Sequence, residues 1–338
     1  GDGVELTSVQ GVKDSLGFTH DPSLNWTLGD EINLSRADID YIPYLAGDLD
    51  GNGHTLTVNI TSPTTSNVGA IGYNHRGEIS NLSVTGTVTG SWYVGGLVGQ
   101  NFEGTVRNAS ANATVSGSVS VGGLVGYNTG TVRNTFASAT VTGSDSLVGG
   151  LVGTNYGSVR NASASGTVAG SEGVGGLVGS NSHTVSDAFA RATVNGSEEV
   201  GALVGVNDDS TVGDLYWDVN ATGRTTSTVS ATGLTTAQMT GEAARTNMTG
   251  LNFTVWRTRP DEYPILTSVP GDTESIAPGE TDTTAFEDTV TDETSSLGTD
   301  GTGTPSQGLP GFGIGAAIAG LGGAGYMLKR RLECDTDE

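Results

Sequence analysis

One string recurs six times along this chain, and it constrains the fold more than anything else. VGAIGYN stands at 68–74, VGGLVGQN at 94–101, VGGLVGYN at 121–128, VGGLVGTN at 148–155, VGGLVGSN at 174–181 and VGALVGVN at 200–207. The starts are 26, 27, 27, 26 and 26 residues apart. Each copy carries a later β-branched residue (Ile79, Val106, Val132, Val159, Val185, Val212), and five copies end on Thr-Val-x-Gly, as in TVTG at 87–90 and TVSG at 114–117. From that β-branched residue to the Val of Thr-Val-x-Gly the spacing is nine residues in all five complete copies. From the second copy onward, length varies only between the Asn and the β-branched residue and between the closing Gly and the next copy. Variable spacers read as surface turns, and the invariant nine-residue segment reads as a register-locked pair of strands with a tight corner.

Short β-branched runs punctuated by Gly read as strands. Three per 26–27 residues, stacked copy on copy, describe a solenoid; a propeller blade needs ~40 residues and a leucine-rich repeat needs a helical stretch. At ~4.8 Å per coil, five steps give about 24 Å of axis. The strong bias of parallel crossovers makes the expected fold a right-handed parallel β-helix, all-β, with end caps. Val, Leu and Ala columns form its core. The asparagines at 74, 101, 128, 155, 181 and 207 stack in one column, and Asn81, Asn108, Asn134, Asn161, Asp187 and Asp214 in another. Stacked amides can hydrogen-bond along the axis as in cross-β ladders.

Composition agrees. Gly is 54 of 338 residues and aromatics are 6%, which suits thin layers and leaves no core of large rings. The net charge of −23 and only two lysines, Lys13 and Lys329, exclude a nucleic-acid binder, because phosphate contacts need clustered bases. Low Lys with abundant acid suits a halophile, where salt screens self-repulsion. A single Cys, Cys334, excludes a disulfide framework or a cysteine zinc site.

The tandem VGGLVGxN strings resemble the GLUG-repeat proteins, Gly-Leu-rich β-helical modules of microbial surface proteins. LDGNGHTL at 49–56 is similar to the segment before their first repeat, and LYWDVNATG at 215–223, LTTAQMT at 234–240 and YPIL at 263–266 are similar to their closing segment. The likeness covers about residues 45–267. It implies an adhesin-like or cell-envelope role; the repeat also occurs beside metallopeptidase domains, but no HExxH string exists here.

The expected organisation is an N-terminal cap at 1–45, β-helix repeats at 46–212, a C-terminal cap with a short helix at 213–270, an acidic Thr-rich linker at 271–308 and a terminal segment at 309–338. A solenoid's open ends require such caps. Trp217, Phe253, Trp256 and Tyr263 are expected to form the C-terminal cap core, with a helix within 234–248. The linker holds nine acids, no base and fourteen Ser/Thr, the composition of a disordered stalk. Residues 311–328 are uncharged and mostly apolar, just long enough as a helix to cross a bilayer, and precede Lys329, Arg330 and Arg331. Pro310-Gly311-Phe312 at its head resembles the Pro-Gly-Phe C-terminal sorting signal of archaeal surface proteins, which implies cleavage and lipid attachment, with a retained membrane helix as the alternative. The chain begins at Gly1, consistent with a mature secreted form.

Candidate sites are few. Asp48, Asp50 and Asn52 match the first half of a calcium loop, but its twelfth position is Asn59, and Asn52-Gly53 is also an ordinary tight turn. The four histidines (20, 54, 75, 183) lack metal spacing. Arg107, Arg133 and Arg160 stack on successive coils, so they face solvent or counter-ions, with an acidic glycan as one such contact. Asn-x-Ser/Thr sequons number eleven of twenty Asn. Asn25, Asn112, Asn195, Asn220, Asn247 and Asn252, at caps and corners, are the glycosylation candidates; Asn81, Asn108 and Asn161 lie in the stacked column and are expected bare. No catalytic set or cofactor site is legible. The chain reads as a non-catalytic surface protein whose partners are the cell envelope or S-layer, surface glycans or other cells, and the membrane through its C-terminus, with a polysaccharide lyase or hydrolase as the alternative.

Overall fold

The computed structural model describes residues 3–269, apart from 38 and 209. The linker, the apolar terminal segment, Pro310, Gly311, Phe312 and Cys334 lie outside the described residues.

The chain winds as a parallel β-solenoid. Each coil passes through three sheets whose strands pair with the same segment one coil earlier and later. The Val-Gly-x-Asn strands build a seven-stranded sheet from Ile42–Leu45 to Val204–Asn207, which sets the number of coils at seven. The strands ending on the preceding Val-Gly form a five-stranded sheet from Trp92–Gly95 to Glu198–Gly201. The third sheet has fourteen strands. Register follows the repeat throughout: Val98 pairs with Val125, Val125 with Val152 and Val152 with Val178.

The nine-residue segment differs from the expected pair of strands. In three coils it lies within one continuous strand, Thr105–Gly117, Thr131–Gly143 and Ser158–Ala169. The corner within it is made by single residues in the left-handed region, Asn108 (φ 48°), Asn134 (φ 52°) and Asn161 (φ 48°), with Asp187 and Asp214 continuing the column at φ 53° and 49°. Asn and Asp tolerate this region because their short polar side chains bond locally. One such residue turns the chain without interrupting the ladder.

Inside, the columns are Val and Leu, with Ala where the coil narrows. Val106, Val132, Val159, Leu124, Leu151 and Val125 are completely buried. The second Gly of the repeat string is fixed by close approach: a Cβ on Gly123 would lie 2.1 Å from the Gly150 carbonyl oxygen of the next coil.

The asparagines at the end of each Val-Gly-x-Asn strand are also fully buried up to Asn181. They form a hydrogen-bonded ladder along the axis: Asn74 Nδ2 donates to Asn101 Oδ1, Asn101 to Asn128, Asn128 to Asn155 and Asn155 to Asn181, all at 2.8 Å, and Asn181 to Asn207 at 3.1 Å. The second N–H of each amide turns to a backbone carbonyl of its own corner, Gly77 for Asn74 and Gly104 for Asn101. The corner asparagines form a second ladder of opposite polarity, in which Asn161 donates to Asn134 (2.9 Å), Asn134 to Asn108 (3.2 Å) and Asn108 to Asn81 (3.1 Å).

The ends are built from non-repeating sequence. At the N-terminal end, strands Gly3–Leu6, Asn25–Leu28 and Asp48–Asp50 continue the large sheet, and helix Val9–Ser15 places Val12 against Leu6, Trp26 and Leu45. At the other end, Trp217 joins the solenoid core and donates to the Arg224 carbonyl, while the Thr228 hydroxyl bonds the Val204 carbonyl across the last coil.

The expectation that Trp217, Phe253, Trp256 and Tyr263 share one cap core is corrected. Along Thr211–Asp218, Leu215 and Trp217 point inward and Tyr216 outward. Tyr216 and Phe189 therefore form an outer aromatic patch, and Trp256, Tyr263, Met239 and Met248 pack on it from the side. The expected helix is two helices, Thr236–Met239 and Gly241–Asn247, because Thr240 is extended (φ −118°, ψ 155°) and Gly241 has φ +57°. Tyr263 hydroxyl (2.5 Å) and Thr236 hydroxyl (2.7 Å) both donate to the buried Asp218 carboxylate, which ties this side module to the solenoid.

Asn128 tests the inner ladder. Asn128→Ala leaves two neighbouring amides short of a partner, and each buried orphan costs about 1–3 kcal/mol; urea unfolding is expected to show that loss. Asn128→Asp places a carboxyl where burial raises its pKa above the ~3.9 of the unfolded chain. Its destabilisation therefore grows as pH rises from acid to neutral, opposite in sign to an ordinary surface Asp, and urea midpoints across that range check it.

Candidate functional site

The outer surface of the third sheet carries an extended concavity. After each corner the strand alternates: Ala109, Ala111 and Val115 point inward, while Ser110, Asn112 and Thr114 point outward. Stacking repeats this in every coil, giving outward columns such as Thr85, Asn112, Ser138, Ser165 and Thr87, Thr114, Thr140, Thr167, Thr193. Between the two columns the backbone bears only small residues, Gly86, Ala113, Ala139 and Gly166. The result is a groove parallel to the axis, made of a depression of about 250 Å³ on the Ser110 and Asn112 side and one of about 300 Å³ over the small-residue floor. Both are lined by Asn112, Ser138 and Gly166, so they adjoin.

The walls are hydroxyls and one carboxamide, Phe136 supplies an apolar surface, and Arg191 closes one end with its guanidinium 4.7 Å from the centre of the Tyr263 ring. No Asp or Glu lines either depression among the described residues. Side-chain bonds link neighbouring coils beside the groove, including Ser83 to Ser110 (2.9 Å) and Thr89 to Ser116 (3.0 Å).

The floor glycines are required. Gly166 has φ +95°, and a Cβ there would lie 2.2 Å from the Ala139 carbonyl oxygen; Gly86 has φ +116° and would meet the Val58 carbonyl at 1.9 Å. Ala113 and Ala139 occupy the equivalent place at ordinary φ. Gly166→Ala is expected to cost about 1–3 kcal/mol through backbone strain and contact, whereas Ala139→Gly costs at most about 1 kcal/mol; paired denaturation curves check the ordering.

Two further arrangements lie outside the groove. On the Val-Gly-x-Asn sheet the rings of His20, Tyr44, Tyr73 and Phe102 stack face to face, with centroids 4.2, 5.5 and 6.1 Å apart along the series, and His75 lies 5.7 Å from Phe102. Each inner ring is covered by its neighbours, so the stack braces successive coils. Further along, Tyr127 sits between Tyr93 and Tyr156, and burial pushes its phenol up to about 12. Around the corner from the groove, Arg107, Arg133 and Arg160 are in register. Arg107 pairs with Glu78 at 2.6 Å, and that contact raises its pKa.

The sequence candidates are dispersed. Asp48 Oδ1 accepts from the Glu78 amide, and Asp50 Oδ1 accepts from the Asn52 amide and from Asn81 Nδ2 (3.0 Å), where it ends the corner ladder. Asn52 (φ 51°) and Gly53 (φ 86°) make the turn between Asp48–Asp50 and Thr55–Thr61. Among the described residues no three His, Cys, Asp or Glu converge on a metal position, and no helix is long and apolar enough to cross a membrane.

Of the sequons, Asn112 is exposed on the groove wall and Asn195 is exposed at the end of Thr193–Asn195. Asn25 is half-buried, Asn220 accepts from the Thr236 amide, Asn252 accepts from its own Thr254 hydroxyl, and Asn247 Nδ2 donates to the Ala243 carbonyl. Asn81, Asn108 and Asn161 each commit Nδ2, the atom a glycan would take, to the corner ladder. Glycopeptide mass spectrometry of the native protein is expected to find sugar at Asn195, Asn220 and Asn252 and none at Asn81, Asn108 or Asn161; occupancy at Asn108 would mean that the corner ladder is open.

The groove was not anticipated from sequence. Its signal was present in the outward half of each long strand, where Ser, Thr and Asn recur beside Gly or Ala.

Three stretches of the chain, 90–116, 117–142 and 144–169, match the family model of the GLUG motif. The chain thus carries GLUG repeats on a β-solenoid. Among solved structures it is similar to a crystal structure from Bacteroides ovatus described as a "putative immunoglobulin A1 protease", with a TM-score of 0.64 and 17% identity over 79% of this chain and 92% of that one. At that identity the likeness is one of fold. No curated protein matches the chain.

Proposed function

We propose that this chain is a non-catalytic, adhesin-like or cell-envelope protein of a halophilic archaeon, displayed outside the cell and held by its C-terminal segment, whose groove binds an extended glycan. The observation that carries this reading is the groove's construction. Equivalent outward positions on successive coils present hydroxyl groups at one strand spacing, ~4.8 Å, which suits a polymer of repeating polar units better than a compact substrate.

Hydrolysis of a glycosidic bond normally requires a pair of carboxyl groups flanking it, and the groove's lining offers neither. The Bacteroides structure's description concerns that protein, and at 17% identity only its fold is shared. The Pro310-Gly311-Phe312 signal and the density of sequons support an exterior, anchored location. The right hand assigned to the helix rests on the crossover rule.

A glycan array probed with the full-length protein in molar salt tests the reading. Ser138→Trp fills the middle of the groove from an outward, half-buried position. It is expected to weaken glycan binding at least tenfold, about 1.4 kcal/mol, with an unchanged melting curve. Release of oligosaccharides from any polymer by the purified protein would overturn the non-catalytic assignment.

A further inference from the structure

We infer that Arg133 and Arg160 form an oxyanion-binding rim beside the groove, so that the glycan it takes is acidic, bearing carboxylate or sulfate groups. This deepens the glycan-binding reading and rests on it.

The chain carries 37 acids against 14 bases, so carboxylates are plentiful. Arg76 pairs with Glu103 at 2.8 Å and Arg107 with Glu78 at 2.6 Å. Among the described residues no carboxylate lies within 4.0 Å of Arg133 or Arg160. The two are nonetheless in direct register on adjacent strands, where like charges one strand spacing apart repel. An anion between them relieves that repulsion.

The surroundings suit an oxyanion. Thr131 and Ser158, also in register, stand two residues earlier on the same outward face and supply hydroxyl donors. A guanidinium fork matches the geometry of carboxylate and sulfate oxygens and binds them through paired charge-assisted bonds. The Oδ1 atoms of Asn108 and Asn134 are already taken by the ladder, so the corner adds no competing acceptor.

Position then extends the site to a polymer. Two residues separate Arg133 from Phe136 and four separate Arg160 from Ser165, the first groove residues of their strands. Both the rim and the groove run along the solenoid axis. A chain lying in the groove therefore keeps pendant acid groups beside the rim over two successive coils.

Full-length protein is passed over immobilised dextran sulfate, polygalacturonate and neutral dextran at ~0.1 M salt, where the Debye length is still ~10 Å. Retention on both polyanions and not on dextran is expected, falling as salt rises. Arg133→Gln with Arg160→Gln is expected to bind roughly tenfold more weakly with unchanged melting. Arg76→Gln with Arg245→Gln, which removes the same charge from paired sites elsewhere, is expected to leave retention intact. Equal retention of the wild type and the R133Q/R160Q protein overturns the proposal. So does absence of retention on either polyanion. The groove reading fails separately, on indifference of glycan binding to Ser138→Trp.

Discussion

A polar side chain at the inner corner of every coil must donate to one neighbour and accept from the other, and the rest of this solenoid depends on that requirement being met. Asn is suited to it, because its amide carries donors on one atom and an acceptor on the other. The Asn74–Asn207 series uses one N–H for the axial bond and, in most coils, the other for a local carbonyl, so burial leaves few groups wanting. Its first member shows the boundary condition: Asn74 Oδ1 has no partner, because the preceding coil places Leu45 at that position. At the other end Ser210 bridges Asn181 and Asn207 and closes the series.

The corner ladder solves the same problem with reversed polarity. Its N–H groups point toward the N-terminal end, where the Asp50 carboxylate receives the last of them. Bonds in series polarise one another, so two ladders of opposite sense also offset each other's axial dipole. The Asp48, Asp50, Asn52 segment acquires a role from this geometry: Asp50 terminates a ladder, and Asn52 turns the chain away from it.

Much of this was legible in the residues because a stacked fold converts sequence period directly into spatial register. The Val, Leu and Asn columns needed only the 26–27-residue spacing to be placed. What stayed hidden depends on parity or dihedral angle at single positions. Whether Tyr216 or Trp217 faces outward decides where the closing segment docks, and a one-residue shift exchanges them. The groove floor depends on positive φ at Gly86 and Gly166, which a Gly-rich sequence cannot distinguish from its other glycines. The pairing of Arg107 with Glu78 is diagonal between coils, Glu78 being in register with Thr105, so a column-by-column reading passes over it.

Constant coil length bears on function as well as fold. Recognition of a compact ligand needs loops that differ from one another and converge on a point, and functional residues concentrate on such loops. Here spacers vary by one residue and the nine-residue segment by none, so neighbouring coils offer nearly the same outward atoms. Differences enter only as substitutions within a column: Phe136 and Phe189 among the serines, Arg191 after Ser165, and Glu172 and Glu198 in register with Ser146. A ligand that profits from such a surface must itself repeat along its length, and its specificity must come from those few exceptions. Arg133 and Arg160 belong to the same logic, since their charge gains meaning from being duplicated at one coil's distance. In a stack where each coil touches only its neighbours, duplication of a side chain is the simplest way to make a site longer than any single strand.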